Sequence, residues 1–147
     1  ARVTPFARRT IGVDRSAAML STAQARLSEM DTAELRCGEL ESLPIEDEEL
    51  DLAILALVLH YIVDPRAVLS EVMRPLAPGG RVLVLDMRRH DRGVTFSKNM
   101  GHVWPGFDFE QLEAWLTDVR FSSIRFQALT PDPDASGPLL FLASARA

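Results

Sequence analysis

The 147-residue sequence has one cysteine, one lysine and one tyrosine. With Cys37 alone, no internal disulfide and no thiolate-built zinc cluster can form, and such sparing thiol use suits a reducing compartment. A cytoplasmic location is therefore expected. No broad basic face is available either: 16 basic residues, Lys98 the only lysine among them, stand against 21 acidic ones, for a net charge of -5. That balance opposes wide nucleic-acid binding. The longest apolar run, Leu52 to Leu59, falls far short of the ~18 residues of a membrane helix. No charged-then-apolar leader pattern opens the sequence, so no membrane partner is expected. His90 and His102 show no metal-ligand spacing, and no metal is expected. What is present is 47% apolar and 25% charged residues, a balance and length that fit one soluble globular domain over 1–147 with a real core.

Short apolar runs alternate with stretches of helical period. Thr10–Val13 is a strand, and Ser16–Met30 is an amphipathic helix capped by Ser16, with Met19, Leu20, Ala23, Leu27 and Met30 on one stripe. Glu34–Cys37 is a short strand, followed by the acidic loop "GELESLPIEDEEL". Leu52–Leu57 is a strand apolar on both faces, as parallel strands are. Asp64-Pro65 opens a helix with Val68, Leu69, Val72 and Met73 inward. Pro75, Pro78 and Gly79-Gly80 stop it, and "RVLVLDM" is the next strand. Asp108 with Gln111 predicts a capping box for a helix carrying Leu112, Trp115, Leu116 and Val119. Phe121–Leu129 and Leu139–Ala145 are strands joined by "TPDPDASGP". That linker is too short and too rich in Pro and Gly for a crossover helix, so the pair must be an antiparallel hairpin. Alternating strand and helix predicts an open, right-handedly wound α/β sheet.

The ordered pieces "IGVDRSAAMLSTAQARL", "ELRCGELESLP" and "LDLAILALVLHYIVDPRAVLSEVMRPLAPGGRVLVLD", with the closing helix and hairpin, resemble the class I S-adenosylmethionine (SAM) dependent methyltransferases. The match is to the small-molecule group typified by ubiquinone- and biotin-pathway enzymes, and it spans nearly the whole chain. It implies a Rossmann-like open sheet of strand order 3-2-1-4-5-7-6 ending in an antiparallel hairpin. One piece of the pattern is missing: the first strand with its D-x-G-x-G-x-G turn, which lets backbone approach the methionine part of SAM. The expectation is thus an N-terminally incomplete methyltransferase domain with an open apolar strip where the central strand belongs. "GHVWPGFDFEQLEAWL" looks like a subgroup carrying an N-terminal winged-helix DNA-binding domain, through which alone nucleic acid would be a partner.

The resemblance assigns roles residue by residue. Asp14, ending a strand at the mouth of a helix, would accept both ribose hydroxyls of SAM in bidentate fashion. Its plainer reading is a capping or surface aspartate. Arg15 and Met19 would flank the adenine, and Met19 could equally be a core residue of the helix stripe. Glu39, after Gly38, would accept from the adenine amino group while the Leu40 N–H meets a ring nitrogen; otherwise it is one more charge in an acidic loop. Cys37 reads as a small buried residue, with Arg36 pointing to the other face. Ala56 and Leu57 would line the methionine moiety, since ligands of open sheets bind beyond the carboxyl ends of strands. "ALVLHY" stands where nucleobase-amine methylases have an Asn/Asp-Pro-Pro-Tyr-like motif, which argues against that chemistry.

His60 and Tyr61 are the catalytic candidates. His60 has the pKa range of a general base for a hydroxyl acceptor, and its plainer reading is a capping or packing histidine. Met87–Phe107 is long for a connection. With Arg88, Arg89, His90, Arg92, Lys98, His102 and Trp104 it is either a lid that grips an anionic or aromatic acceptor or a solvated segment anchored by its tryptophan. Two functions follow, methyl transfer to a small molecule and non-catalytic SAM or ligand sensing in a transcriptional regulator, with a homodimer left open. A nicotinamide-dependent oxidoreductase shares the acidic strand end but not the final hairpin or "GELESLP".

Overall fold

A computed structural model describes residues 6–90, 101–131 and 137–147. Two compact units, 1–46 and 47–147, divide the chain.

In the first unit, strand β1 (Thr10–Asp14) and strand β2 (Ala33–Cys37) pair in parallel, with Asp14 opposite Cys37. Helix α1 (Ala17–Leu27) joins them. Ser16 caps it as predicted, its hydroxyl accepting the Met19 N–H at 3.3 Å, which satisfies one of the donors that a helix start leaves unpaired. The helix is shorter than the apolar period implied, because Met30 N–H already turns back to Leu27. Leu20, Ala23 and Leu27 are half-buried, whereas Met19 is 58% exposed. The core reading of Met19 is therefore wrong. It lies about 100° around the helix from Leu20, which turns it off the inward stripe. Cys37 is also exposed rather than buried. On the opposite face of β2, Arg36 donates to Glu34 and to the Pro44 carbonyl, the latter at 2.6 Å.

The second unit holds a four-stranded sheet of order β3-β4-β6-β5. Its elements are β3 (Leu50–Ala56), α2 (Pro65–Met73), β4 (Leu76–Met87), α3 (Phe109–Asp118), β5 (Ser122–Ala128) and β6 (Leu140–Arg146). β3 and β4 run parallel, and β6 is antiparallel to both of its neighbours, β4 and β5, as the Pro- and Gly-rich linker required. Val82 and Val84 on β4, Phe141, Ala143 and Ala145 on β6, Val68, Leu69 and Val72 on α2, and Leu112 and Leu116 on α3 form the core. Phe109 of α3 stacks on Phe126 and meets Phe141 edge-on, at centroid distances of 4.7 and 5.6 Å.

Three expectations change here. β4 begins at Leu76, not Arg81: Leu76 pairs with Leu50, a register shift follows, and Gly79 takes a φ of +81°. Pro78 and the two glycines thus lie inside an irregular strand instead of a loop, tolerated at a bulge. β3 is not buried on both faces: it pairs with β4 alone among the described residues, and Leu52 and Ile54 are 41% and 43% exposed. The capping box on α3 does not form. Asp108 makes no capping bond, because its carboxylate is taken by Arg89 Nε, while Gln111 Oε1 accepts from Arg89 at 3.3 Å. A bidentate-capable guanidinium outcompetes a backbone N–H for a carboxylate.

Candidate functional site

In the first unit the carboxyl ends of the two parallel strands gather the residues expected to hold a nucleoside. Asp14 closes β1, and its Oδ1 accepts the Ser16 N–H at 2.8 Å. That bond fixes the carboxylate, and Oδ2 makes no hydrogen bond among the described residues. Gly38 N–H donates to the Asp14 carbonyl at 3.2 Å, carrying the strand pairing one step past β2. At Gly38 a Cβ would stand 2.5 Å from the Pro44 ring, so the tight turn into the acidic loop needs glycine. Glu39 follows, exposed, with Oε2 3.8 Å from Arg15 Nη1. Asp14, Arg15, Gly38 and Glu39 thus meet at one end of the sheet. Leu40 is half-buried beside them.

Two exposed or half-exposed carboxylates on adjacent strand ends supply acceptors only. A ribose diol and an exocyclic amine are donors, so the donor–acceptor chemistry fits the nucleoside of SAM. Exposed Met19 and Arg15 offer apolar and cationic surface on the same helix start.

In the second unit, Ala56 ends β3 and Leu57 follows in the left-handed region, φ +54°. This conformation costs a non-glycine residue roughly 1–2 kcal/mol. The Leu57 N–H donates to the Leu85 carbonyl at 2.8 Å, so that N–H is occupied by the sheet. A single 3-10 turn, Leu59–Tyr61, comes next. His60 is 3% exposed and Tyr61 45%.

His60 finds a partner that sequence reasoning overlooked. Along β4 the alternation Val82, Val84, Asp86 places a carboxylate on the face that buries the two valines, because side chains repeat every second residue in a strand. Asp86 is fully buried. Its Oδ1 lies 2.7 Å from His60 Nδ1 and accepts the Met87 N–H at 2.7 Å, and its Oδ2 accepts the Leu59 N–H at 3.1 Å. A buried carboxylate tolerates its setting only with several such donors. The readable signal was the single acid ending the apolar run "RVLVLDM".

His60 and His102 are in ring contact, and His90 lies within electrostatic reach of His102. The His102 ring stands edge-on to His60 at 4.5 Å and to Tyr61 at 5.2 Å, and Tyr61 lies 4.1 Å from His60. Burial lowers the His102 pKa below 6.5, with the nearby His60 and His90 lowering it further and Asp86 opposing them. The His60 carbonyl accepts N–H groups from Val103 and Trp104, at 2.9 and 3.1 Å. Of the long segment's cations, Arg88 sits 5.6 Å over the Phe109 ring and Arg89 is bound to Asp108; Arg92 and Lys98 lie outside the described residues. Trp104 is anchored, its indole N–H on the Ile62 carbonyl and its ring against Trp115 and Phe107. Among the described residues, no group of three or more His, Cys, Asp or Glu could hold a metal ion. No helix there is long and apolar enough to cross a membrane.

Parallel strand pairs in both units, a helix after each of β1 and β3, and a reversed last strand paired beside β4 are α/β features of the class I methyltransferase type. The chain belongs to the methyltransferase-domain family of SAM-dependent enzymes, whose sequence model matches residues 1–84. It is similar to a demethylmenaquinone methyltransferase of Clavibacter sepedonicus, 25% identical over 82% of this chain and 59% of that protein. It is also similar to an arsenite methyltransferase of Halobacterium salinarum, 34% identical over 52% of this chain and 20% of that protein. The chain therefore spans less than two thirds of either relative. A solved SAM-dependent methyltransferase from Methanosarcina mazei shares its fold, with a TM-score of 0.78 at 18% identity, covering 99% of this chain and 84% of that one.

Proposed function

We propose that the protein transfers a methyl group from SAM to a small organic acceptor. The observation that carries this reading is the pair of acceptor groups, Asp14 and Glu39, at the ends of β1 and β2. Asp14 takes the ribose hydroxyls, Glu39 the adenine amine and Leu40 N–H a ring nitrogen, with Arg15 and Met19 along the base. Ala56 and Leu57 keep the methionine role the family pattern gives them. The donor's sulfonium is already a good leaving group, so the protein's work is to place the acceptor, exclude water and remove a proton where the acceptor carries one.

The relatives act on quinones and on arsenite, and the residues here favour the former kind of acceptor. Arsenic(III) is soft and wants several thiolates; these 147 residues hold one cysteine, and it is in the first unit. Tyr61 instead offers a half-exposed ring held against His60 and His102, a surface on which a flat ring can stack. His60 is the proposed base.

Titration calorimetry of the full-length protein with SAM, and separately with NAD, tests the cofactor. SAM heat is expected, and Asp14→Ala should weaken it about 10- to 100-fold, the scale of a lost charge-assisted hydrogen-bond pair. Heat with NAD alone overturns the reading. SAM heat without methyl transfer to any of a panel of hydroxylated aromatic acceptors moves the protein to the sensor class.

A further inference from the structure

We infer that Asp86 is a positioning residue for proton removal, and that the acceptor it serves carries an ionisable hydroxyl on a flat ring. This rests on the methyltransferase reading above. The carboxylate is held without freedom: it is fully buried at the end of β4, and its two oxygens accept from the Leu59 and Met87 N–H groups and meet His60 Nδ1. A buried carboxylate that already has two backbone donors stays an acceptor, so the 2.7 Å contact requires the proton to sit on His60 Nδ1. The neutral ring is then fixed with a lone pair on Nε2, which makes no hydrogen bond among the described residues. That is the tautomer a base needs, and a carboxylate behind the ring stabilises the imidazolium that forms.

The rest of the turn is built to keep the ring in place. The His60 backbone carbonyl accepts the Val103 and Trp104 N–H groups, and its ring lies 4.1 Å from Tyr61, tilted, and 4.5 Å from His102 in an edge arrangement. The titratable groups around it are Asp86 from β4, Tyr61 from its own turn, and His102, itself within electrostatic reach of His90. In the proposed step the acceptor oxygen bonds the methyl carbon as His60 Nε2 takes the hydroxyl proton. The electron pair of the broken carbon–sulfur bond stays on sulfur, leaving a neutral thioether, a neutral methyl ether and an imidazolium paired with Asp86.

Asp86→Asn and His60→Gln, made in the full-length protein, test this. The amide fills the same space; with its nitrogen toward His60 it donates to Nδ1 and drives the proton to Nε2, while its oxygen keeps the Leu59 N–H and the Met87 N–H loses its acceptor. Expected for Asp86→Asn are a SAM affinity within about threefold of wild type and a kcat lowered about 100-fold or more, the scale of general-base catalysis. The pH profile of kcat should change with it. Nitrogen NMR of the His60 ring, read without substrate, should show Nδ1 protonated in the wild type and Nε2 protonated in the variant. A variant that binds SAM and turns over at the wild-type rate with an unchanged pH profile overturns the Asp86 role and leaves the methyltransferase reading standing. An Nε2-protonated wild-type ring overturns it too. A wild type that binds no SAM removes both.

Discussion

The Trp104 indole donates to the carbonyl oxygen of Ile62, 2.8 Å away and 42 residues earlier in the chain. This bond and the two N–H groups on the His60 carbonyl hold residues 103–104 against the turn that carries His60 and Tyr61. Trp104→Phe removes the bond but keeps an aromatic ring against Trp115 and Phe107. It should cost about 1 kcal/mol, whereas Trp104→Ala should cost about 3 kcal/mol. Urea unfolding at an unchanged m-value reads both.

Gly106 is the second fixed point of the same segment. Its φ is +91°, and a Cβ there would stand 2.4 Å from the Arg88 carbonyl oxygen and 2.8 Å from that of Met87. Those atoms are backbone and cannot swing aside. Gly106→Ala should therefore destabilise by more than the roughly 1–3 kcal/mol of dihedral strain alone, while Gly101→Ala, with nothing within 4 Å, should cost only that strain. Paired thermal melts of the two variants separate clash from strain.

His102 is expected to titrate below the 6.5 of a free histidine, because burial and then His60 and His90 disfavour its charge. Below pH 6.5 the unfolded chain takes up the proton that the folded one resists. The stability tied to this group is thus fully present above 6.5 and declines as pH falls toward the depressed value. Proton NMR of the ring across pH 4–8 locates the midpoint, and a midpoint at or above 6.5 contradicts the assignment. His102→Phe should flatten that part of the stability curve.

Glu34 lies between Arg36 and Arg9, both of which donate to its carboxylate, and its pKa falls to about 2 from 4.5. A depressed carboxyl stabilises the fold above its unfolded value and loses that contribution between about 4.5 and 2 as the pH drops. The group is exposed, so salt should shrink the effect. Glu34→Gln should remove the acid-side slope, and acid unfolding at low and high salt checks it.

Much of the fold was legible because its signals are local. Ser16 and Asp64-Pro65 cap helices through their own side chains and neighbours, and the linker before Leu139 leaves no room for anything but a hairpin. The failures share one cause, a partner distant in sequence. Arg89 withdraws Asp108 from its cap across 19 residues. Leu50 recruits Leu76 into a strand that Pro78 and Gly79 seemed to forbid. Asp86 was hidden inside an apolar strand because His60, the group that makes a buried carboxylate tolerable, lies 26 residues upstream. Asp14 and Glu39 were readable as candidates because Asp14 closes β1 and Glu39 lies two residues past the end of β2. Of the buried pair in the second unit, only His60 was singled out by the sequence.

The position of β6 between β4 and β5 sets an order of assembly. As the polypeptide leaves the ribosome, residues 122–128 emerge with no ladder partner among the described strands, and one edge of β4 stays open beside them. Both gaps close together when 140–146 arrive. A synthesis pause between those stretches would expose two sticky edges at once, so this is the interval in which a chaperone, or self-association, has its opening.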